Sequence, residues 1–314
     1  MRKGTGRVFC AGVWTYFLAS ITVISIGPEC VAGSRELIVP TGCVIGPSAE
    51  PEGYGGSGYA DAVVHTKTGI ELVFIPGGNF TTVDRNAGSK EITIRPFYMG
   101  KYEVTVDQFE RIGTLHYCGQ GKGNRLPVVC VDFYEASEYC KTAGLALPTE
   151  AEWEWACLGG KRAAFCFGDD EALLGKYAWY SKNSSAGPVQ VGQKLPNEWG
   201  LYDMHGNVWE WCSGTWVWPN GWQDNVLRGG GWASEAKYCR GDRGRGFSGS
   251  VRDRYYGFRV CLRLGEAPPC NKTQPCTGPG LPGAPIATHR QELANERVGW
   301  AVSVRDLGEE QNDR

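Results

Sequence analysis

Apolar and polar positions alternate along this chain in short, interrupted stretches, with few long regular runs. Glu71-Leu72-Val73-Phe74-Ile75-Pro76 reads as a buried strand, closed by the turn residues Pro76-Gly77-Gly78. Residues 91–98 read as a second strand, with Ile92, Ile94 and Pro96-Phe97 on mixed faces. Residues 104–112 suit a short helix with Thr105 near its start. A stronger helix opens at Asp132, which can cap; Glu135 stands three residues on, Phe133, Ala136 and Cys140 share one face, and Gly144 follows the end. Thr149 and Glu152 form a second capping box, ahead of a helix through Trp153, Trp155 and Ala156. Beyond residue 160 the pattern reads as mostly turns and short apolar pieces, without a repeat.

The ends read differently. Arg2, Lys3 and Arg7 precede an apolar run over residues 8–26, which Gly27-Pro28 breaks ahead of the small residues Ala32-Gly33-Ser34. That order is the pattern of a secretory signal peptide, and the run is also close to the ~20 residues that span a bilayer. The expected organisation is a signal peptide or N-terminal anchor over 1–33, a Gly/Pro/Ser-rich linker over 34–64, one domain over 65–264, and a Pro/Gly-rich then polar tail over 265–314. The expected location is periplasmic or extracellular, with membrane contact only if the N-terminal segment is retained.

Composition narrows the class. Among 314 residues there are 45 Gly, 13 Cys and 12 Trp, which argues for a loop-rich, cross-linked fold over a helical bundle or a regular parallel sheet. With 32 basic and 34 acidic residues the net charge is −2, and no basic stripe marks a nucleic-acid binder. Removal of residues 1–33 discards Cys10 and Cys30. Cys118, Cys130, Cys140, Cys157, Cys166, Cys212, Cys239 and Cys261 then fall in the domain, Cys270 and Cys276 in the tail, and Cys43 is odd. Even numbers in domain and tail suit internal pairing in an oxidising compartment; several are equally readable as small buried hydrophobes. None of the four His shows the i, i+4 spacing of a helical metal site.

Six segments in order carry a family resemblance. They are residues 74–80 (Phe-Ile-Pro-Gly-Gly-Asn-Phe), 98–105 (Tyr-Met-Gly-Lys-Tyr-Glu-Val-Thr), 147–157 (Leu-Pro-Thr-Glu-Ala-Glu-Trp-Glu-Trp-Ala-Cys), 200–211 (Gly-Leu-Tyr-Asp-Met-His-Gly-Asn-Val-Trp-Glu-Trp), 227–232 (Leu-Arg-Gly-Gly-Gly-Trp) and 257–259 (Gly-Phe-Arg). Together they resemble the formylglycine-generating-enzyme, or sulfatase-modifying-factor, domain family over about residues 65–264. The resemblance implies an α+β, loop-rich, disulfide-linked variant of the C-type lectin fold.

Formylglycine generators in that family hold copper(I) with two cysteines, two and seven residues after the Trp of an Arg-Gly-Gly-x-Trp motif. Counted from Trp232, those positions are Ser234 and Cys239. Copper(I) is soft and prefers thiolates, and one thiol with one hydroxyl does not make a two-thiolate site. The catalytic position is therefore degenerate, and copper is not expected; iron has no support in the sequence. Cys239 is also readable as half of a disulfide with Cys212, worth about 3–4 kcal/mol for a loop of that length. The resemblance implies a Cys140–Cys261 pair and leaves Cys157 to pair elsewhere, with Cys166 the candidate. It also implies calcium in the loop after Tyr202, with carboxylates from Asp203 and Glu210 and carbonyls from Gly206 and Val208, a donor set that calcium accepts. Trp216, Trp218, Trp222 and Trp232, with Arg240, are candidates for a ligand cleft, against the alternative that large rings fill a core short of regular elements.

Three functions compete on these grounds. The first is an exported binding or accessory module for a peptide, protein or glycan, without the copper pair. The second is an oxygen- and metal-dependent oxidase or protein-maturation enzyme of the formylglycine-generating type. The third is a retroelement-diversified, lectin-like ligand binder, varying over about residues 215–256.

Overall fold

The structure is a computed structural model that describes residues 37–47, 57–84, 88–112, 125–184 and 186–265, together with the backbone of Ile21–Thr22. The signal-peptide or anchor segment and the tail after 265 otherwise lie outside the described residues. Two sheets organise the fold. The first holds five antiparallel strands in the order β13-β8-β5-β4-β3: β3 (Cys43–Ile45), β4 (Ala62–His65), β5 (Glu71–Ile75), β8 (Phe97–Gly100) and β13 (Cys261–Arg263). The second has the order β11-β10-β9-β12, with β9 (Trp209–Val217), β10 (Gln223–Arg228), β11 (Gly244–Phe247) and β12 (Tyr256–Gly257). Between the first sheet's strands in sequence lies the hairpin of β6 (Gly78–Asp84) and β7 (Gly88–Ile94). β1 (Ile21–Thr22) pairs with β2 (Val39–Pro40).

The helices stop and start where local chemistry dictates. α2 (Phe133–Ala143) and α3 (Glu150–Leu158) carry the expected reciprocal caps, Asp132 with Glu135 and Thr149 with Glu152, and end on Gly144 and Gly159 in left-handed conformation. α1 (Val106–Glu110) has a third capping box, Thr105 with Gln108. A fourth helix, α4, covers Leu174–Tyr177.

Two expectations need correction. The strand expected over 91–98 is two strands, because Arg95-Pro96 interrupts pairing: β7 belongs to the hairpin and β8 starts afresh in the five-stranded sheet. The expected linker contributes β2 and β3 and the start of β4, so the first sheet reaches back into it. Beyond 160, where mostly turns and short apolar pieces were expected, the longest regular element is the β9–β10 hairpin, whose register shifts at Asn225/Val226. The core lies where the two sheets and α2 and α3 meet: Phe74, Tyr98, Tyr139, Trp211 and Phe258 in one buried cluster, Ile75, Phe97, Trp153 and Met204 in another. Among the described residues no helix is long and apolar enough to cross a membrane.

Candidate functional site

The loop that leads into β9 and the segment that leaves β10 bring the candidate residues into two neighbouring settings. The loop is tight. Asp203 and Asn207 both hold positive φ, 61° and 62°, and a Cβ on Gly206 would collide with the Trp179 carbonyl. Asn207 fastens three segments at once. Its amide N–H donates to Trp179 O at 2.8 Å, its side chain pairs both ways with Val189 at 2.9 and 3.2 Å, and its carbonyl accepts from Trp232 N at 2.7 Å. The sequence reading gave Asn207 no role.

Below the loop is a buried charged centre. Arg259 is fully buried and donates to both oxygens of Glu210, Nε to Oε2 at 2.7 Å and a terminal nitrogen to Oε1 at 2.6 Å. Trp153 Nε1 donates to the same Oε2 at 2.6 Å, and Arg259 also reaches the carbonyls of Gly100 and Tyr202, each at 3.0 Å. Asp203 accepts from Gly192 N at 2.7 Å through Oδ2, while its Oδ1 has no partner. Glu103 is fully buried and neither of its oxygens has a partner. Burial first, then the Asp203 charge, pushes the Glu103 carboxyl well above its ordinary range; burial raises Asp203 to about 6. If all three carboxyls were ionised, one guanidinium would leave two buried negative charges uncompensated, with the exposed Arg125, over the Tyr102 ring at 4.9 Å, as a further cation.

The four residues expected to bind calcium are therefore unequal. Glu210 accepts from Arg259 through both oxygens and from Trp153 through Oε2, so it is already engaged on the protein side. Asp203 keeps one oxygen, Gly206 and Val208 stand in the same loop, and Glu103, which the sequence reading did not single out, offers two more. The donor chemistry suits a hard cation, and the unpartnered oxygens of Asp203 and Glu103 are the least engaged of the set. Among the described residues no group of three or more His, Cys, Asp or Glu side chains is arranged around a common point for a metal.

The degenerate catalytic pair lies in the segment after β10. Ser234 Oγ accepts from Trp209 Nε1 at 3.1 Å and from Gly231 N at 3.0 Å, so the hydroxyl works as a brace for the Gly229–Trp232 turn. Cys239 is fully buried among Ala164, Phe165, Leu174 and Ala236, and burial pushes its thiol up to about 12. A Cβ on Gly230 would sit 2.8 Å from its sulfur, which shows how closely the backbone wraps it. His205 does not serve Ser234. Its Nδ1 pairs with Cys239 O at 2.8 Å, its Nε2 accepts from Cys166 N at 3.0 Å, and the Cys157 sulfur lies 3.7 Å away. Burial lowers His205 to about 4, so the ring is neutral near pH 7.

The expected disulfides are also corrected. Cys212 and Cys239 are both free thiols and belong to different buried clusters, Cys212 on β9 with Trp153 and Cys239 with Phe165. Cys140 and Cys261 are free, as are Cys157 and Cys166, between which His205 is lodged. Cys43, the odd one, is free and buried. Cys130 is disulfide-bonded; Cys118, Cys270 and Cys276 lie outside the described residues.

The five cleft candidates do not line one wall. Trp232 is buried and stacks on Tyr255 at 5.0 Å. Arg240 is held bidentately by Asp242 and lines a cleft of about 310 Å³ with Phe80, Glu154 and Asp169, without any tryptophan. Trp216, Trp218 and Trp222 instead belong to the β9–β10 hairpin.

Comparison with known proteins defines the class. Residues 60–264 match the sulfatase-modifying factor enzyme 1-like domain, and the chain belongs to that family. Its fold is the formylglycine-generating-enzyme-like, C-type-lectin-related α+β fold. Among individual relatives, it is 30% identical over 233 residues to the chaperone protein LppX of Paenibacillus barcinonensis, covering 54% of this chain and 81% of that one. It is 36% identical over 164 residues to the inactive C-alpha-formylglycine-generating enzyme 2 of Mus musculus, covering 48% of each. The match to the mouse formylglycine-generating enzyme is 34% over 137 residues, 36% of this chain and 37% of that enzyme. The chain thus spans less than half the length of either mouse relative. Among solved structures, PvdO from Pseudomonas aeruginosa aligns with a TM-score of 0.55 at 25% identity, over 65% of this chain and 98% of PvdO. The Treponema denticola variable protein 1 aligns with a TM-score of 0.53 at 26% identity, over 62% and 95%.

Proposed function

We propose that this chain is an exported, non-catalytic member of its family that binds a peptide, protein or glycan or assists another protein, and is not a copper-dependent formylglycine generator. The carrying observation is the state of the two positions that follow Trp232. Ser234 is committed to Trp209 and Gly231, and Cys239 is a buried thiol with its pKa raised to about 12. A thiolate is the nucleophile and the soft ligand, and a buried thiol raised that far supplies almost none near pH 7. Relatives described as a chaperone and as an inactive formylglycine-generating enzyme support the same reading. The module carries calcium, a hard cation that neutralises buried carboxylates without redox chemistry, held by Asp203 and Glu103 with carbonyls from the 206–208 loop.

The test is oxygen uptake by the purified, copper-treated protein with a cysteine-containing peptide. Uptake no faster than in the protein-free control is expected. Peptide-dependent uptake with loss of the cysteine thiol would overturn the reading.

A further inference from the structure

We propose that the β9–β10 hairpin is a glycan-binding platform, built for a single uncharged chain of β-linked hexose or N-acetylhexosamine units. The proposal deepens the binding-module reading and rests on it.

The register sets the platform. Trp216 pairs with Asp224 and Val217 with Gln223, and Trp218 N donates to Trp222 O at 2.8 Å beyond them. Alternation then places Trp216, Trp218, Trp222 and Asp224 on one face of the ribbon. The bond from Trp218 Nε1 to Asp224 Oδ2, 2.7 Å, is consistent with that face and fixes the Trp218 ring. Trp216 lies across the neighbouring strand over Gly246, where a Cβ would stand 2.5 Å from the indole; glycine is what lets the ring lie down. The tip is tied as well, by Gly221 N to Trp218 O at 2.8 Å and Trp222 N to Asn220 Oδ1 at 3.1 Å. Trp222 is nevertheless 73% exposed and Trp218 37%. Large exposed indoles on a tied hairpin are expensive to leave in water and inexpensive to order on binding.

The chemistry of the face selects the ligand. A pyranose in a β-linked chain presents a flat patch of C–H groups and a rim of hydroxyls. An indole covers the patch, and a fixed carboxylate such as Asp224 accepts from the rim. Nucleic acid and anionic lipid are disfavoured, because the exposed end of the face carries the Asp224 carboxylate, and Arg228, on the same face of β10, is buried and paired with Glu154. Arg245, the nearest on β11, pairs with Leu227 one position out of step with Gly246 and lies over Phe247 at 4.9 Å, on the opposite face. Stable protein interfaces need about 800 Å² a side, whereas two partly exposed rings supply a few hundred Å² at most. Trp216 and Trp218 are tilted by 54° at 5.7 Å, so they do not form one plane. A twisted single chain fits such rings better than a flat crystalline surface.

The full chain is titrated with cellohexaose and with chitohexaose, followed by calorimetry and tryptophan emission. Saturable binding of at least one is expected. W222A should weaken it at least tenfold and W222Y by less than threefold, with an unchanged urea midpoint, since the ring is largely outside the core. Absence of binding to both sugars, or W222A binding like the parent, would overturn the proposal. So would Trp222-dependent capture by phosphatidylglycerol vesicles in place of the sugars. Oxygen uptake in the earlier assay would overturn the non-catalytic reading alone, and failure of the sugars without oxygen uptake would overturn this inference alone.

Discussion

Arg228 and Arg259 are both fully buried, and each faces more carboxylates than it can neutralise, yet they close their charge differently. Arg228 ends β10 and meets Glu154 at 2.6 Å and Glu150 at 3.1 Å, while its other terminal nitrogen reaches the carbonyls of Gly241 and Arg243. The Glu150 side chain is 26% exposed, so water screens the surplus charge. Arg259 faces Glu210, Asp203 and Glu103, of which none is more than 2% exposed. Its surplus has no solvent to share it and must be met by a cation or a proton. The difference teaches where to look for a ligand: beside the charge that the fold leaves unbalanced, and not simply beside the largest number of acidic residues.

The largest effect should come from removing the guanidinium. Arg259→Met strands three buried carboxylates and should destabilise by about 3–5 kcal/mol or more, enough to unfold a domain at the low end of the usual 5–15 kcal/mol. Arg228→Met should cost at least about 1 kcal/mol less, because Glu150 can turn to water. Urea denaturation of both variants checks this, and equal losses would break the comparison.

Calcium should separate the two centres next. At a hundredfold excess over its dissociation constant, calcium should stabilise the parent by about 2.7 kcal/mol, and Glu103→Gln should abolish most of that gain while Glu154→Gln leaves it. The calcium-free pH dependence has a definite sign. A carboxyl whose folded pKa is raised contributes stability that is complete below its unfolded value, about 4.3, and is lost as pH climbs towards the folded value. Calcium-free protein should therefore weaken as pH rises above about 4.3 through the range where Asp203, at about 6, and Glu103 ionise. Glu103→Gln should flatten that slope. A thermal shift that calcium leaves untouched would assign the surplus to protons.

Legibility in the sequence followed distance along the chain. The caps at Asp132/Glu135 and Thr149/Glu152 were readable because each closes within four residues. The β9–β10 hairpin was not, because Trp209, Glu210, Trp211 and Cys212 are buried in succession before the register shift at Asn225/Val226, which erases the alternation that marks a strand. At the site, Ser234 and Cys239 could be counted off from Trp232. Glu103 could not be joined to Asp203 or Arg259, since only folding brings residues so far apart in sequence together. Composition could not tell a bonded cysteine from a buried one: Cys130 is disulfide-bonded, whereas Cys140, Cys157, Cys212, Cys239 and Cys261 are thiols that fill the core.

The smallest effect tests the solvent-sharing side of the comparison. Glu150 opens α3, where its charge also faces the helix N-terminus. Glu150→Gln removes that interaction and the outer half of the Arg228 pairing, yet Glu154 remains within 2.6 Å of the guanidinium. A partly exposed pair of this kind should contribute about 0.5–1 kcal/mol. Because the contribution runs partly through water, it should shrink in 1 M salt, where the screening length falls to about 3 Å. The buried Arg259–Glu210 contact should be nearly indifferent to the same salt. Urea midpoints of parent and Glu150→Gln at low and high salt give the answer: a difference that persists undiminished would mean that Glu150 is as shut off from solvent as Glu210, and that the two arginine centres balance their charge in the same way.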